Sequence, residues 1–375
     1  MINKLIAGFL CLGVPVVVLS MDYTAELNER YAPHANWAER IDIERLEPVP
    51  ASATWWRSPQ AIRAGRVDSD PPLSGVHIAL EPGHIGGAWA EIEGRSFRIN
   101  PEDYYVREGD LVLEVGQRVK KELLELGAEV TLLRQQNAPL NPKRPEAYFL
   151  EAAERVPPPE TFSWAAFREY EAALRRVMNR MAFVPGELIE RARLVNEEVR
   201  PDALISLHIN AAPWPVGPGG EVVHQLVDSN HSHVLIFGCL SDSELAQPMQ
   251  KEQLILKLTN QSAEIERELG EAFAVAIGEH TALPASYYSG TNAVRLEGHS
   301  PYLWARNLLI LRYVQCPVIM LEPHIANSKA TYPRIQEALR NRQSDAPLPA
   351  DDILLEYVEA VVAALLKVYG RDGKD

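Results

Sequence analysis

Three polar side chains stand where short apolar runs end. Val76-His77-Ile78-Ala79-Leu80-Glu81 leads through Pro82-Gly83 to His84, Ala203-Leu204-Ile205-Ser206-Leu207 leads to His208, and Pro317-Val318-Ile319-Met320-Leu321 leads to Glu322. Apolar, β-branched runs of this length, bounded by Gly and Pro, read as buried strands. In an open parallel sheet the carboxyl ends of the strands line one crevice, so residues far apart in the chain can converge there. Glu108 heads a helical stretch that should begin on the same edge. Two imidazoles and a carboxylate around an open fourth position make a hydrolytic zinc site. The metal lowers the pKa of a water in that position. A second carboxylate that is not a ligand can then take the water's proton and pass it to a leaving amine, and Glu322 is the candidate. Zinc suits the mixed nitrogen and oxygen donors without redox chemistry, ahead of iron or manganese.

Each residue also has a plainer reading. His84 is a turn histidine, His208 a satisfied core histidine, and Glu108 a carboxylate favoured by a helix start, with Glu102, Asp103 and Asp110 as near competitors. Glu322 reads as a buried structural carboxylate paired with Arg312. A carboxylate ending an apolar strand is costly unless paired or functional, which favours the catalytic role. Among ten histidines, His231-Ser232-His233 follows the turn signal Asp228-Ser229-Asn230 and reads as a solvated loop. His299 reads as a loop residue too, whereas His324 either orients substrate or packs.

The elements that must position these groups alternate. After the strand at 76–81, residues 110–126 carry an apolar stripe at helix spacing (Leu111, Val115, Val119, Leu123, Leu126) that Gly127 stops. A strand at 129–134, a helix at 187–199, the strand at 203–208, a helix ending at 307–313, the strand at 317–322 and an amphipathic helix at 351–369 follow. The pattern predicts an α/β fold: a single doubly wound, mostly parallel twisted sheet flanked by helices. Two stretches break the alternation and read as insertions, 137–185 and 228–258. The first carries a helix with Phe162, Phe167, Tyr170, Leu174, Met178 and Met181 that reads as a cap or as a lid over the site.

The blocks around these residues resemble the zinc-dependent N-acetylmuramoyl-L-alanine amidases of peptidoglycan. The family's strand followed by Asp-Pro-Gly-His is similar to Ile78 through Glu81-Pro82-Gly83-His84. Its Glu-headed helix, Gly and strand closing on Arg are similar to Glu108, Gly127 and Arg134. Its helix with Arg-Ala and Asn, then Ser-x-His-x-Asn, is similar to Arg191-Ala192, Asn196 and Ser206-Leu207-His208-Ile209-Asn210. Its last block is similar to Leu311-Arg312, Pro317 to Glu322, and Asn327. The resemblance implies His84, Glu108 and His208 as ligands of one zinc ion, with Glu322 as the catalytic general base and acid. It implies hydrolysis of the amide between the lactyl group of N-acetylmuramic acid and L-alanine, in peptidoglycan or soluble muropeptides. It also leaves room for a regulatory protein partner, since some relatives are held inactive by an inserted segment until a partner displaces it. The chain departs from the pattern at Glu81, which replaces Asp, and at Ile85-Gly86-Gly87-Ala88-Trp89, which lacks the usual Asp. An apparent insertion lies at 93–105, and Pro323-His324-Ile325 replaces Gly-Phe. Two other readings stay open: a zinc amidohydrolase or carboxypeptidase on another peptide or N-acyl substrate, and a non-catalytic wall-binding protein on the same scaffold.

Composition sets the outer limits. The 375 residues are 46 % hydrophobic and 23 % charged, which suits a chain with a sizeable core and excludes global disorder. A net charge of −14 has the wrong sign for gripping nucleic-acid phosphates. Residues 1–20, with Lys4 and an apolar run from Leu5 to Leu19, read as a signal peptide or an uncleaved N-terminal anchor. The expected location is therefore periplasmic or extracellular, with membrane contact only if that segment stays uncleaved. Residues 21–72 form an irregular lead-in, and residues 73–375 the catalytic domain. Of three cysteines, Cys11 lies in the leader; Cys239 and Cys316 permit one disulfide without showing it, and Cys316, in an apolar run, reads as a buried free thiol.

Overall fold

The computed structural model describes residues 22–161, 163–343 and 347–371; the leader at 1–20 with Cys11, and Phe162, lie outside them. Strands β1 (His77–Pro82), β4 (Glu129–Leu132), β5 (Ala203–Leu207), β6 (His233–Phe237), β7 (Val294–Arg295), β8 (Leu303–Arg306) and β9 (Val318–Glu322) form a seven-stranded sheet in the order β4-β1-β5-β9-β6-β8-β7. A two-stranded hairpin of β2 (Ser96–Phe97) and β3 (Val106–Arg107) stands apart from it.

β4, β1, β5 and β9 run parallel; the apolar sequences of the inner strands β1, β5 and β9 match burial on both sides, whereas the edge strand β4 alternates between exposed and buried residues. Their register decides where the chemistry goes. Pro82 lies opposite Leu207, and Leu207 opposite Leu321. Three strands therefore end level with one another, and the residues just past those ends share one edge.

Helices flank this sheet, and the long ones are α1 (Glu108–Glu125), α2 (Trp164–Phe183), α3 (Pro185–Arg193), α4 (Pro248–Thr259), α5 (Ser262–Thr281), α6 (Thr331–Asn341) and α7 (Ile353–Tyr369). α7 packs against both α1 and α5, and the side chain of Asp352 caps it by accepting from the backbone N–H groups of Leu354 and Leu355. α3 continues into a π-helical turn at Leu194–Val199, which Arg200 ends in a left-handed conformation.

The fold differs from the sequence expectation on its right-hand side. The stretch 228–258 contains β6, which pairs antiparallel with β9 and parallel with β8, so it supplies a strand to the central sheet. His231-Ser232-His233 is consequently not a solvated loop: Ser232 and His233 are buried, and His233 lies opposite Glu322. The turn signal before it is real, but the apolar Val234-Leu235-Ile236-Phe237 that follows pulls His233 into the sheet. Cys239 and Cys316 are both buried free thiols.

Residues 22–72 make short helical turns that wrap onto the domain. Leu27 and Tyr31 join the main core. Between them, Arg30 enters the interior, donates to the carbonyl of Phe237 at 2.9 Å, and pairs with Glu266 of α5, which Lys257 of α4 meets from the other side at 2.5 Å. Trp55 donates to the carbonyl of Pro201 at 3.1 Å and Arg57 pairs with Asp202 at 2.6 Å, both at the opposite end of the strands from His208. Among the described residues, no helix is long and apolar enough to cross a membrane.

Candidate metal centre

Level strand ends and the start of α1 bring His84, Glu108 and His208 together, each offering one donor atom within 4.8 Å of the others. Glu108 is the hub. Its Oε1 lies 2.9 Å from His208 Nδ1 and accepts from the backbone N–H of Ile209 at 3.2 Å. Its Oε2 lies 3.3 Å from His84 Nε2. The two imidazole rings meet edge to face at 5.2 Å.

His84 sits in a left-handed backbone conformation with φ 55°, unusual for a residue with a side chain. A set of contacts over-determines it. Arg191 of α3 is fully buried and donates to the carbonyls of Pro82 at 2.9 Å and His84 at 2.8 Å. The same guanidinium pairs with Glu81 and, at 2.9 Å, with Glu187. Glu81 also accepts from Ser206, its neighbour across β5. Arg134, just past β4, donates to the carbonyl of Gly109 at 2.8 Å and to Asn137 at 2.9 Å, anchoring the first turn of α1. On the other side of the turn, Glu93 accepts from the backbone N–H of Ile85 at 2.9 Å and faces His84 Nδ1 at 3.2 Å. Arg95 donates from Nε to His84 Nε2 at 3.2 Å. Glu93 on Nδ1 orients the ring so that Nε2 is the nitrogen facing Glu108.

Gly83 makes room for His208. A Cβ there would lie 2.2 Å from Cε1 and 2.4 Å from Nε2 of that ring. Only the bare backbone of a glycine lets the turn carrying His84 close over His208.

Glu322 lines the same cavity of about 290 Å³ as His84, Glu108 and His208, together with Arg95, Asn210 and Arg306. Its Oε2 is enclosed with no hydrogen-bond partner among the described residues. Burial, reinforced by the charge of Glu108, pushes the Glu322 carboxyl up to about 8 against the opposing pull of His208, Arg95 and Arg306. Glu108 moves the other way: burial would raise it, but His84, His208 and Arg95 together hold it at about 2. Burial would lower His208, yet its hydrogen bond to Glu108 and the charges of Glu108, Glu322 and Glu81 raise it to about 9. The two carboxyls of this cavity are thus driven in opposite directions, Glu108 held ionised by the cations around it and Glu322 held protonated by burial.

The group meets the demands of a metal. Two imidazole nitrogens and a carboxylate oxygen are a zinc-type donor set, and His208 Nε2 is buried without a hydrogen-bond partner among the described residues. The four candidates named from the sequence therefore line one cavity. Arg312 does not pair with Glu322; it turns to Gln253 at 2.6 Å and to Asn307. His324 faces away from the cavity, its Nε2 3.4 Å from Glu356 of α7, and burial holds it neutral with a pKa of about 3. Asn196 and Asn327 are fasteners. Asn196 donates to the carbonyl of Tyr313 and accepts from Gln315 N–H; Asn327 exchanges two bonds of 2.9 Å with Ala212.

Glu93 and Arg95 were not legible as site residues. They lie in the segment read only as an insertion, and it is the β2–β3 hairpin that turns them back onto His84. Arg191 and Arg134 carried a signal, as motif residues, but not the geometry that explains it.

Residues 78–343 match the protein family described as N-acetylmuramoyl-L-alanine amidase. Solved structures with similarity include an N-acetylmuramyl-L-alanine amidase, Ami1, from Mycobacterium smegmatis, at 16 % identity over 80 % of this chain and 98 % of that one, with a TM-score of 0.43. The CwlD amidase from Clostridioides difficile, solved with the GerS lipoprotein, is 10 % identical over 78 % and 98 % of the two chains, TM-score 0.42. AmiC2 of Nostoc punctiforme, an N-acetylmuramoyl-L-alanine amidase, is 16 % identical over 78 % and 97 %, TM-score 0.37. No curated protein matches the chain.

Proposed function

Since the chain belongs to the N-acetylmuramoyl-L-alanine amidase family, we propose that it is an exported, zinc-dependent hydrolase that cuts the amide between the lactyl group of N-acetylmuramic acid and L-alanine. The substrate is peptidoglycan or its soluble muropeptides. One observation carries this reading: a His-Glu-His cluster and a separate buried carboxylate, Glu322, line one cavity at the end of the parallel strands.

His84, Glu108 and His208 would hold the metal. When bound, zinc supplies a Lewis acid for the scissile carbonyl and for an attacking water. The protein's own residues do the rest. Glu322 takes the proton of the attacking water on its carboxylate and hands it to the departing amine of L-alanine. Arg191 and Glu93 keep His84 in its left-handed turn, and Gly83 keeps His208 against it. α2 ends in Phe183, which with Val184 walls the cavity, so a protein partner that shifted α2 would alter access.

Product analysis tests the bond. Mass spectrometry of digested muropeptides should show stem peptides beginning with L-alanine and a muramic acid whose lactyl carboxyl is free. Cleavage within the peptide, leaving the muramoyl amide intact, would overturn the assignment in favour of a peptidase.

A further inference from the structure

Glu108 and Arg95 line two cavities, one on each side of the cluster. The first holds Glu322 and runs toward Arg306, whose guanidinium lies 5.7 Å over the Tyr288 ring and makes no ion pair among the described residues. The second has a different chemistry. It encloses about 460 Å³ between the β2–β3 hairpin and the segment that follows His208, within the usual range for a small-molecule cleft. Its walls carry Phe97, Trp214 and His224, with Leu111 and Ile209 as an apolar floor. Trp214 meets Phe97 edge to face at 5.0 Å and lies at a shallow tilt to His224 at 4.7 Å, so the three rings are in contact and make one aromatic wall. Ser96 Oγ, on the same lining, is enclosed without a hydrogen-bond partner among the described residues.

A muramoyl amide is equally two-sided. Its sugar presents uncharged C–H faces that pack on aromatic rings, and hydroxyl and acetamido groups that need hydrogen bonds. Its stem peptide carries carboxylates, which call for a cation. We propose that the Phe97–Trp214–His224 cavity is the sugar subsite, so that N-acetylmuramic acid lies against Trp214 with Ser96 Oγ bonding a polar group of the ring. The stem peptide then extends past Glu322 toward Arg306. This assignment rests on the amidase reading for the peptide side, but the sugar site itself is a separate property of the second cavity.

Two measurements test it on the full chain, with Trp214→Ala and the conservative Trp214→Phe, both first checked for an unchanged thermal midpoint. Saturation-transfer NMR with the methyl glycoside of N-acetylmuramic acid amide reads binding without turnover. The ring protons should receive the strongest transfer, affinity should fall about tenfold in Trp214→Ala, and Trp214→Phe should recover most of it. No transfer to the ring, or equal affinity in all three proteins, would overturn the subsite. The second measurement compares an N-acetylmuramoyl peptide with the D-lactoyl peptide that has the same scissile amide and no sugar. Wild type should favour the muramoyl substrate in kcat/KM, and Trp214→Ala should cut that ratio about tenfold. An unchanged ratio would count against the proposal. If wild type cuts neither substrate, the amidase reading fails, and the NMR result still decides whether the cavity takes a sugar.

Discussion

Glu108 carries opposite partners on its two oxygens, His208 with Ile209 N–H on one and His84 on the other, and that geometry sets the charges around it. The metal-free protein should register them as pH dependence. Glu322, raised to about 8 from an ordinary value of 4.5, binds more protons folded than unfolded across that interval. His208, raised to about 9 from 6.5, does the same across its own interval. Stability from both is present at low pH and is lost as pH climbs through 8 and 9. Glu108, depressed to about 2, works in the reverse sense and costs stability only as pH falls below about 4.5. Chelated protein should therefore melt at a lower temperature at pH 9 than at pH 6, and Glu322→Gln should flatten part of that slope. A melting temperature that rises from pH 6 to pH 9 in chelator would contradict these charge states.

At the scale of elements, the site is a consequence of register. β1, β5 and β9 end level, and each hands its next residues to the same edge. That much was readable from the sequence, because these strands are apolar runs with polar residues directly after them, and α1 shows a clean helical stripe. The right-hand side of the sheet was not. β6 hides behind a polar turn, and β8 is a four-residue strand. α5 carries Ile265, Leu269, Phe273 and Ile277 at four-residue spacing, a helical signal that stands beside the buried charge of Glu266. The hairpin that delivers Glu93 and Arg95 is two residues deep on each strand, too short to announce itself. Within these elements, Gly83 is the tightest joint. Gly83→Ala should displace the His208 ring and weaken metal binding by at least about tenfold, while far-UV circular dichroism stays native. Unchanged metal affinity in a folded Gly83→Ala would show that the two histidines do not depend on that close approach.

On the scale of the whole molecule, two regions have separate duties. One end of the strands is given to fastening: Arg57 on Asp202, Trp55 on Pro201, and the interior Arg30–Glu266–Lys257 group that ties residues 22–72 to α4 and α5. Breaking a buried charge group of this kind typically costs about 3–5 kcal/mol, so it holds the lead-in firmly in place. The other end is left open for chemistry, with a cavity lined by charged side chains of both signs and an aromatic cavity meeting at Glu108. The central claim is that His84, Glu108 and His208 hold a zinc ion while Glu322 moves the proton. Zinc content and muropeptide hydrolysis, measured on the same preparations of wild type and Glu322→Gln, test it most directly. About one zinc per chain is expected in both proteins, with a loss of about 10²–10⁴ in turnover in the variant. Full turnover in Glu322→Gln, or a wild-type chain that takes up no zinc when it is supplied, would contradict it.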